Sequence, residues 1–328
     1  MDCINIKSLF LKGFFIPKRY IYNIFVVCKG LFISLFLVSY LHSSEFISPI
    51  PQNIDFDKAK SKLGEKLFFD PILSKDNTIS CFSCHDIYSS GADKERVSLG
   101  INNQKGSLNA PTLFNAVFNF RQNWDGSAKT LSSQAIGPIT NSFEMGHNFG
   151  DLIDSLNNTF YKKEFEAIYS DGVTKDNILD TLEEFQKTLI TPNSPFDRYL
   201  LGDKSAISSN AKEGFALFKS KGCIVCHNGI NIGGQLYSKF GMVELIDNTN
   251  YGLYNITKDE EDKYYFKVPT LRNIALSAPY FHNGSIDLLY DAVVIMLKYQ
   301  VGRETSSEDI DKIVEFLHTL TGENRYAK

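Results

Sequence analysis

Cys81-Phe82-Ser83-Cys84-His85 and Cys223-Ile224-Val225-Cys226-His227 decide how this chain is read. Each is C-x-x-C-H, the covalent attachment signature of c-type haem. The two thiols add across the porphyrin vinyl groups as thioethers, and the adjacent histidine reaches the iron from the proximal side. A lone C-x-x-C-H is compatible with chance or with half of a zinc site. Two, each behind a helical hydrophobic pattern, point to two covalently bound haem c groups with His85 and His227 as axial iron ligands.

The rest of the composition agrees with an exported haem protein. The chain has 328 residues, a length that suggests about two domains. With 43% hydrophobic and 22% charged residues it reads as globular. A formal charge of -4 and the lack of a basic run argue against a nucleic-acid partner. Of the six cysteines, four belong to the haem motifs and two, Cys3 and Cys28, lie near the N-terminus, leaving no spare pair in the body. Covalent haem c is assembled outside the cytoplasmic membrane, which implies export. Lys7, Lys12, Lys18, Arg19 and Lys29 precede the apolar run from Gly30 to Leu41. That arrangement describes a secretory signal. No small-x-small cleavage site follows, and extension back to Ile21 approaches a membrane thickness. Residues 1–45 are therefore a signal peptide or an uncleaved N-terminal membrane anchor, and either places the body in the periplasm.

Within the body, Asp57 to Phe69 carries a helical stripe (Ala59, Leu63, Leu67, Phe68) that stops at Asp70-Pro71. Ala211, Phe215 and Phe218 mark a second helix face that ends at Lys221-Gly222, just before Cys223. Helix, turn and haem motif thus occur twice, an internal repeat of two cytochrome modules. Between them the pattern predicts helices over Asp151–Tyr169 and Lys175–Ile190. Thr191-Pro192-Asn193-Ser194-Pro195 then ends helix propagation and marks the domain boundary. A last helix opens at Ser306-x-x-Asp309, buries Ile310, Ile313, Val314 and Leu317, and closes at Gly322. Strand signals are few, so the class is mainly α.

Beyond the haem motifs, residues from about 50 to 322 resemble the bacterial di-haem cytochrome c peroxidases. The resemblance rests on Leu63-Gly64-x-x-Leu67-Phe68-Phe69-Asp70-Pro71, Asn109-Ala110-Pro111-Thr112-Leu113-Phe114-Asn115 and Trp124-Asp125-Gly126. It continues through Gln134, Glu144-Met145, Thr191-Pro192, Phe196-Asp197-Arg198-Tyr199, Pro269-Thr270-Leu271-Arg272-Asn273 and Pro279-Tyr280-Phe281-His282-x-Gly284. It implies two class I cytochrome c-like domains, each with one covalent haem c. The peroxidatic haem domain spans 46–196 and the electron-transfer haem domain 197–328.

The resemblance also implies roles. Met296 matches the sixth ligand of the electron-transfer haem, where sulfur raises the reduction potential; by residue pattern alone it reads as core filler on an apolar helix face. Glu144 and Gln134 match the distal pocket of the peroxidatic haem, Glu144 as general base and acid and Gln134 as the group that orients the ligand. Without the resemblance they read as a helix-start glutamate and a surface glutamine. Trp124 matches a ring between the two haems in the electron path, and is also simply a large core aromatic. Asn109, Ser277 and Pro279 match a calcium site at the domain seam. Arg272 is expected to pair with a haem propionate, and His282 to serve as a structural hydrogen-bonding residue.

Two departures stand out. Ile101 occupies the place of the distal histidine that, in many members, blocks the peroxide haem until the other haem is reduced. Isoleucine cannot ligate iron, so the N-terminal haem is expected to be five-coordinate or water-ligated even when fully oxidised, His147 being the one residue that could swing in. Ser127 stands where the family usually has arginine, which removes a charge near a propionate. The resulting expectation is a di-haem peroxidase. It would reduce hydrogen peroxide with electrons from a monohaem cytochrome c or a cupredoxin, as a homodimer, without prior reductive activation. The rival is a di-haem electron carrier with both irons six-coordinate. Related enzymes that build a quinone cofactor in a partner protein use tyrosine where Met296 sits.

Overall fold

Pairs of helices that cross just ahead of each attachment motif organise the protein. The computed structural model describes residues 47–247 and 249–327, so the signal or anchor expected in residues 1–45 lies outside the described residues. The main helices are α1 (Lys58–Phe69), α2 (Leu131–Thr140), α3 (Phe149–Asn157), α4 (Lys175–Lys187), α5 (Pro195–Leu200), α6 (Ser209–Ser220), α7 (Leu289–Ile295) and α8 (Ser307–His318). A two-stranded antiparallel ribbon, β1 (Tyr237–Lys239) with β2 (Tyr265–Lys267), is the sheet among the described residues. The architecture is mainly α, as the sequence predicts.

Capping explains most helix starts. Asp57 accepts the amides of Ala59 and Lys60 to open α1, Thr174 caps α4, and Ser208 caps α6. Ser306 caps α8 through the Asp309 amide. Leu63, Leu67 and Phe68 form the buried face of α1, whereas Ala59, counted in the predicted stripe, is exposed.

Three expectations shift. The single helix predicted over 151–169 is two, α3 and Tyr161–Glu166. The chain breaks at Asn158, whose side chain turns back to the Asp154 carbonyl at 2.8 Å. Helix α4 ends at Lys187, short of Ile190. Gly322 does not close α8, which stops at Thr319. It is a close-approach position instead, where an added Cβ would overlap the Thr191 carbonyl.

Two apolar cores follow from this helix order. Leu63, Leu67, Ile139, Leu152, Leu156, Phe165, Ile178 and Leu182 build one, extended by Phe68, Phe114 and Phe185. Phe196, Ala211, Phe218, Val293, Leu297, Ile313, Phe316 and Leu317 build the other. The chain passes from the first to the second between Leu189 and Phe196. The ends of the body cross over: Ile47 packs in the second core, while Tyr326 packs on Phe185 of the first at 6.1 Å between rings.

Candidate functional site

One cavity of about 780 Å³ lies where the two cores face each other, and both C-x-x-C-H motifs line it. Cys81 and Cys84 sit on a single helical turn ahead of His85, and Cys223 opens the corresponding turn ahead of His227. None of these four cysteines is in a disulfide. Burial pushes Cys81 up to about 12 and Cys223 up to about 11, and raises Cys84. In all three, burial disfavours the charged thiolate. Among the described residues no three His, Cys, Asp or Glu side chains converge on one point, so the motifs do not pool into a tetrahedral zinc site.

The histidines suit haem iron. Burial depresses both, His227 to about 4, so each imidazole is neutral. His85 Nδ1 lies 3.2 Å from the Gly91 carbonyl. A carbonyl only accepts, so Nδ1 carries the proton and Nε2 is left as the ligand nitrogen. The His227 ring is buried beside the Ile232 and Pro269 backbone, whose hydrogen bonding partly opposes the effect of burial. Apolar walls complete each half: Phe68, Leu113, Ala135 and Ile139 on one side, Phe218, Leu271, Val293 and Leu297 on the other. Donors, protonation and walls all fit two covalent haems.

Gln134 and Glu144 both line the cavity. Gln134 is carried by α2, whose Thr130 and Ser133 form a capping box. The helix ends at Asn141, which shapes the turn that follows. Its Oδ1 accepts the Phe143 amide at 3.0 Å, and its Nδ2 donates to Glu144 Oε1 at 2.7 Å. Burial raises the Glu144 pKa and the Asn141 bond partly offsets that. Met145, next in sequence, is sealed into the first core at 3% exposure.

Ile101 is in a hairpin rather than on the cavity wall. Gly100 N–H donates to the Gln104 carbonyl (2.8 Å) and Gly106 N–H to the Ser98 carbonyl (2.9 Å). The Ile101 amide donates to the Glu144 carbonyl at 2.8 Å. Its side chain packs where a Cβ on Gly146 would otherwise sit. Gly100 lines the cavity, but neither Ile101 nor His147 does.

Across the cavity, Met296 lines the second half. It marks the point where α7 widens into a π-helical stretch, Met296–Val301, a local deformation found disproportionately at functional sites. Trp124 donates its indole N–H to the Asn109 carbonyl at 2.9 Å, and its ring lies 6.3 Å from that of His282. Trp124 is thus a hydrogen-bonded aromatic that also lines the shared cavity. His282 stacks on Phe266 at 4.2 Å between rings and lies 3.1 Å from Asp247. Asn109, Ser277 and Pro279 all line the cavity.

Arg272 is the correction. It is 1% exposed, absent from the cavity wall, and engaged by protein. Nη1 pairs with Asp197 at 2.6 Å, Nη2 donates to the Ser48 carbonyl at 2.8 Å, and Nε donates to the Ile230 carbonyl at 3.1 Å. Paired with Asp197 and held off the cavity wall by these backbone groups, it is a structural clamp rather than the propionate partner the resemblance implies. Two contributors escaped the sequence reading. Asn141 had a signal, an asparagine just past a helix with a glutamate three residues on. Lys267, on a short strand, had none.

Comparison with known proteins agrees with this geometry. A family model described as di-haem cytochrome c peroxidase matches residues 58–205. The chain is 45% identical over 288 residues to the cytochrome c peroxidase Ccp of Escherichia coli (strain K12), covering 86% of this chain and 62% of that one. It is 42% identical over 296 residues to the cytochrome c551 peroxidase of Pseudomonas aeruginosa, covering 85% of each. Among solved structures, a MauG-like protein associated with microbial copper homeostasis superposes with a TM-score of 0.74 at 25% identity, over 88% of this chain and 97% of that one. Two haem motifs, their neutral histidines and this similarity over most of the chain lead to one conclusion: the chain belongs to the di-haem cytochrome c peroxidase family, with two haem c groups.

Proposed function

We propose that the protein reduces hydrogen peroxide to water at the haem held by Cys81, Cys84 and His85. Two electrons arrive one at a time from a small periplasmic redox protein, a monohaem cytochrome c or a cupredoxin. Cys223, Cys226 and His227 would hold the C-terminal haem, with Met296 as the further side chain available to its iron, and this haem would receive the electrons on a path past Trp124. Haem, when bound there, would supply the redox-active iron, and two further protons from solvent would complete the two waters. The chain's own residues handle the protons. Glu144 removes one from the oxygen that binds and returns it to the oxygen that leaves, while the Gln134 amide orients the ligand.

What carries this reading is the asymmetry of the cavity wall. Gln134 and a half-buried glutamate with a raised pKa belong to the same half as His85, whereas Met296 belongs to the half of His227. Ile101 offers no ligand and packs against Gly146, which favours a peroxide site that is open in the fully oxidised protein. A further part of the reading is one calcium ion held by Asn109, Ser277 and Pro279. Asn109 donates its amide nitrogen to the Glu95 carbonyl and accepts Trp124 at its own carbonyl, leaving Oδ1 as its remaining oxygen. Modules 46–196 and 197–328, export through residues 1–45 and a homodimer complete the proposal.

Stopped-flow mixing of the oxidised protein with peroxide tests it. The expected result is reaction without pre-reduction and a high-spin fraction in the resting spectrum. Silence until one haem is reduced would defeat the role given to Ile101. Two low-spin haems inert in every redox state would leave only the electron carrier.

A further inference from the structure

Three lysines line the cavity: Lys105, Lys239 and Lys267. Lys105 is exposed and Lys239 half-buried. Lys267 is different, at 6% exposure and, among the described residues, with no ion pair or side-chain hydrogen bond. Burial is the sole cause that pulls its ammonium down to about 8, and no carboxylate among the described residues opposes it. A buried, unpaired ammonium is costly. Arg272, the other buried cation of this half, has Asp197.

Its position says what is missing. Lys267 ends β2, opposite Tyr237 of β1. Its amide donates to the Trp124 carbonyl at 2.8 Å. Beside Tyr237, Ser238 Oγ lies 4.0 Å from Cys226 Sγ. Two residues on, the Pro269 carbonyl packs so closely on Gly233 that a Cβ there would overlap it, and that same Cβ would lie 3.4 Å from His227 Nδ1. Lys267 is thus held between the second attachment motif and Trp124, lining the cavity where that haem is attached.

We propose that Lys267 is the counter-charge for a propionate carboxylate of the C-terminal haem, the role Arg272 does not fill. The inference rests on haem being attached at Cys223 and Cys226. The pairing gives a buried ammonium the anion that the protein withholds, and it sets the potential of the entry haem. Removing the cation leaves a carboxylate unscreened near the iron, which favours the oxidised state and lowers the potential.

The test uses the holoprotein with both haems, comparing Lys267→Met and Lys267→Arg by spectroelectrochemical titration, with a haem count as the assembly control. Lys267→Met is expected to lower the midpoint of the C-terminal haem and leave the N-terminal haem in place. Lys267→Arg is expected to hold both near wild type. Unchanged midpoints in Lys267→Met, or a shift confined to the N-terminal haem, overturn the assignment. Should Lys267→Met fail to assemble, Lys267→Gln is read in its place. Failure of both with assembly of Lys267→Arg supports the pairing, and failure of all three overturns it. Peroxide turnover plays no part in this readout, so loss of the proposed activity and loss of this pairing are separately visible.

Discussion

The two halves share one helix crossing and differ in what they place over it. In the first, Gly64 of α1 abuts α4: a Cβ there would overlap the Thr181 carbonyl and lie 3.0 Å from Phe185 Cβ. In the second, Gly214 of α6 abuts α8: a Cβ would overlap the Lys312 carbonyl and lie 3.0 Å from Phe316 Cβ. In each the glycine lets two helices touch, and the aromatic four residues beyond the contacted carbonyl anchors the core. The frame is the same device used twice. The cavity above it is not: one half carries Gln134 and Glu144, the other Met296. Chemistry is thus set by a few wall residues on a repeated scaffold, and the frame is free to stay constant.

The largest expected effect breaks the asymmetry directly. Glu144→Ala is expected to slow peroxide reduction by a factor of about a hundred or more, measured as kcat with a saturating donor, while the C-terminal haem keeps its potential. An unchanged rate would remove Glu144 from the proton path and leave the two halves chemically alike.

The next tests whether the frame is truly shared. Gly64→Ala and Gly214→Ala each force a methyl into a backbone carbonyl, and overpacking of this kind costs about 1–3 kcal/mol or more. Thermal unfolding of the holoprotein is expected to show similar losses for both. A mild Gly64→Ala beside a severe Gly214→Ala would show that the crossings are not equivalent.

The smallest effect sharpens the difference in electrostatics. Burial raises the pKa of Glu144, and a general base works as the carboxylate. The acid limb of kcat/KM is therefore expected at higher pH than for an exposed glutamate, activity falling as pH drops through that raised pKa. The Asn141 hydrogen bond stabilises the charged form, so Asn141→Ala should move the limb further up. A limb that stays put, or moves down, would assign it to another group.

Much of this was legible in residues close together in the chain. Attachment of haem needs two thiols and an imidazole at fixed short spacing, so Cys81 to His85 and Cys223 to His227 declare themselves. Helix faces recur every three or four residues, and Asp57, Ser306 and the stripe Ile310, Ile313, Leu317 reported their helices for that reason. Met296, Gln134 and Glu144 were recognised through family likeness, because a wall residue of a cavity has no local signature.

What only the tertiary structure decided are matters of long-range pairing. Arg272 and Lys267 are both basic residues near one proline-threonine-leucine stretch, and nothing in their neighbours distinguishes them. The fold brings Asp197 and Ser48 to the first and, among the described residues, no side-chain partner to the ammonium of the second. Likewise Ile101 reads as an absent ligand in sequence, whereas in the fold it is a peg against Gly146. Short-range spacing specifies what a segment can bind. Whether a buried charge already has its partner depends on chain segments that meet only when the molecule folds.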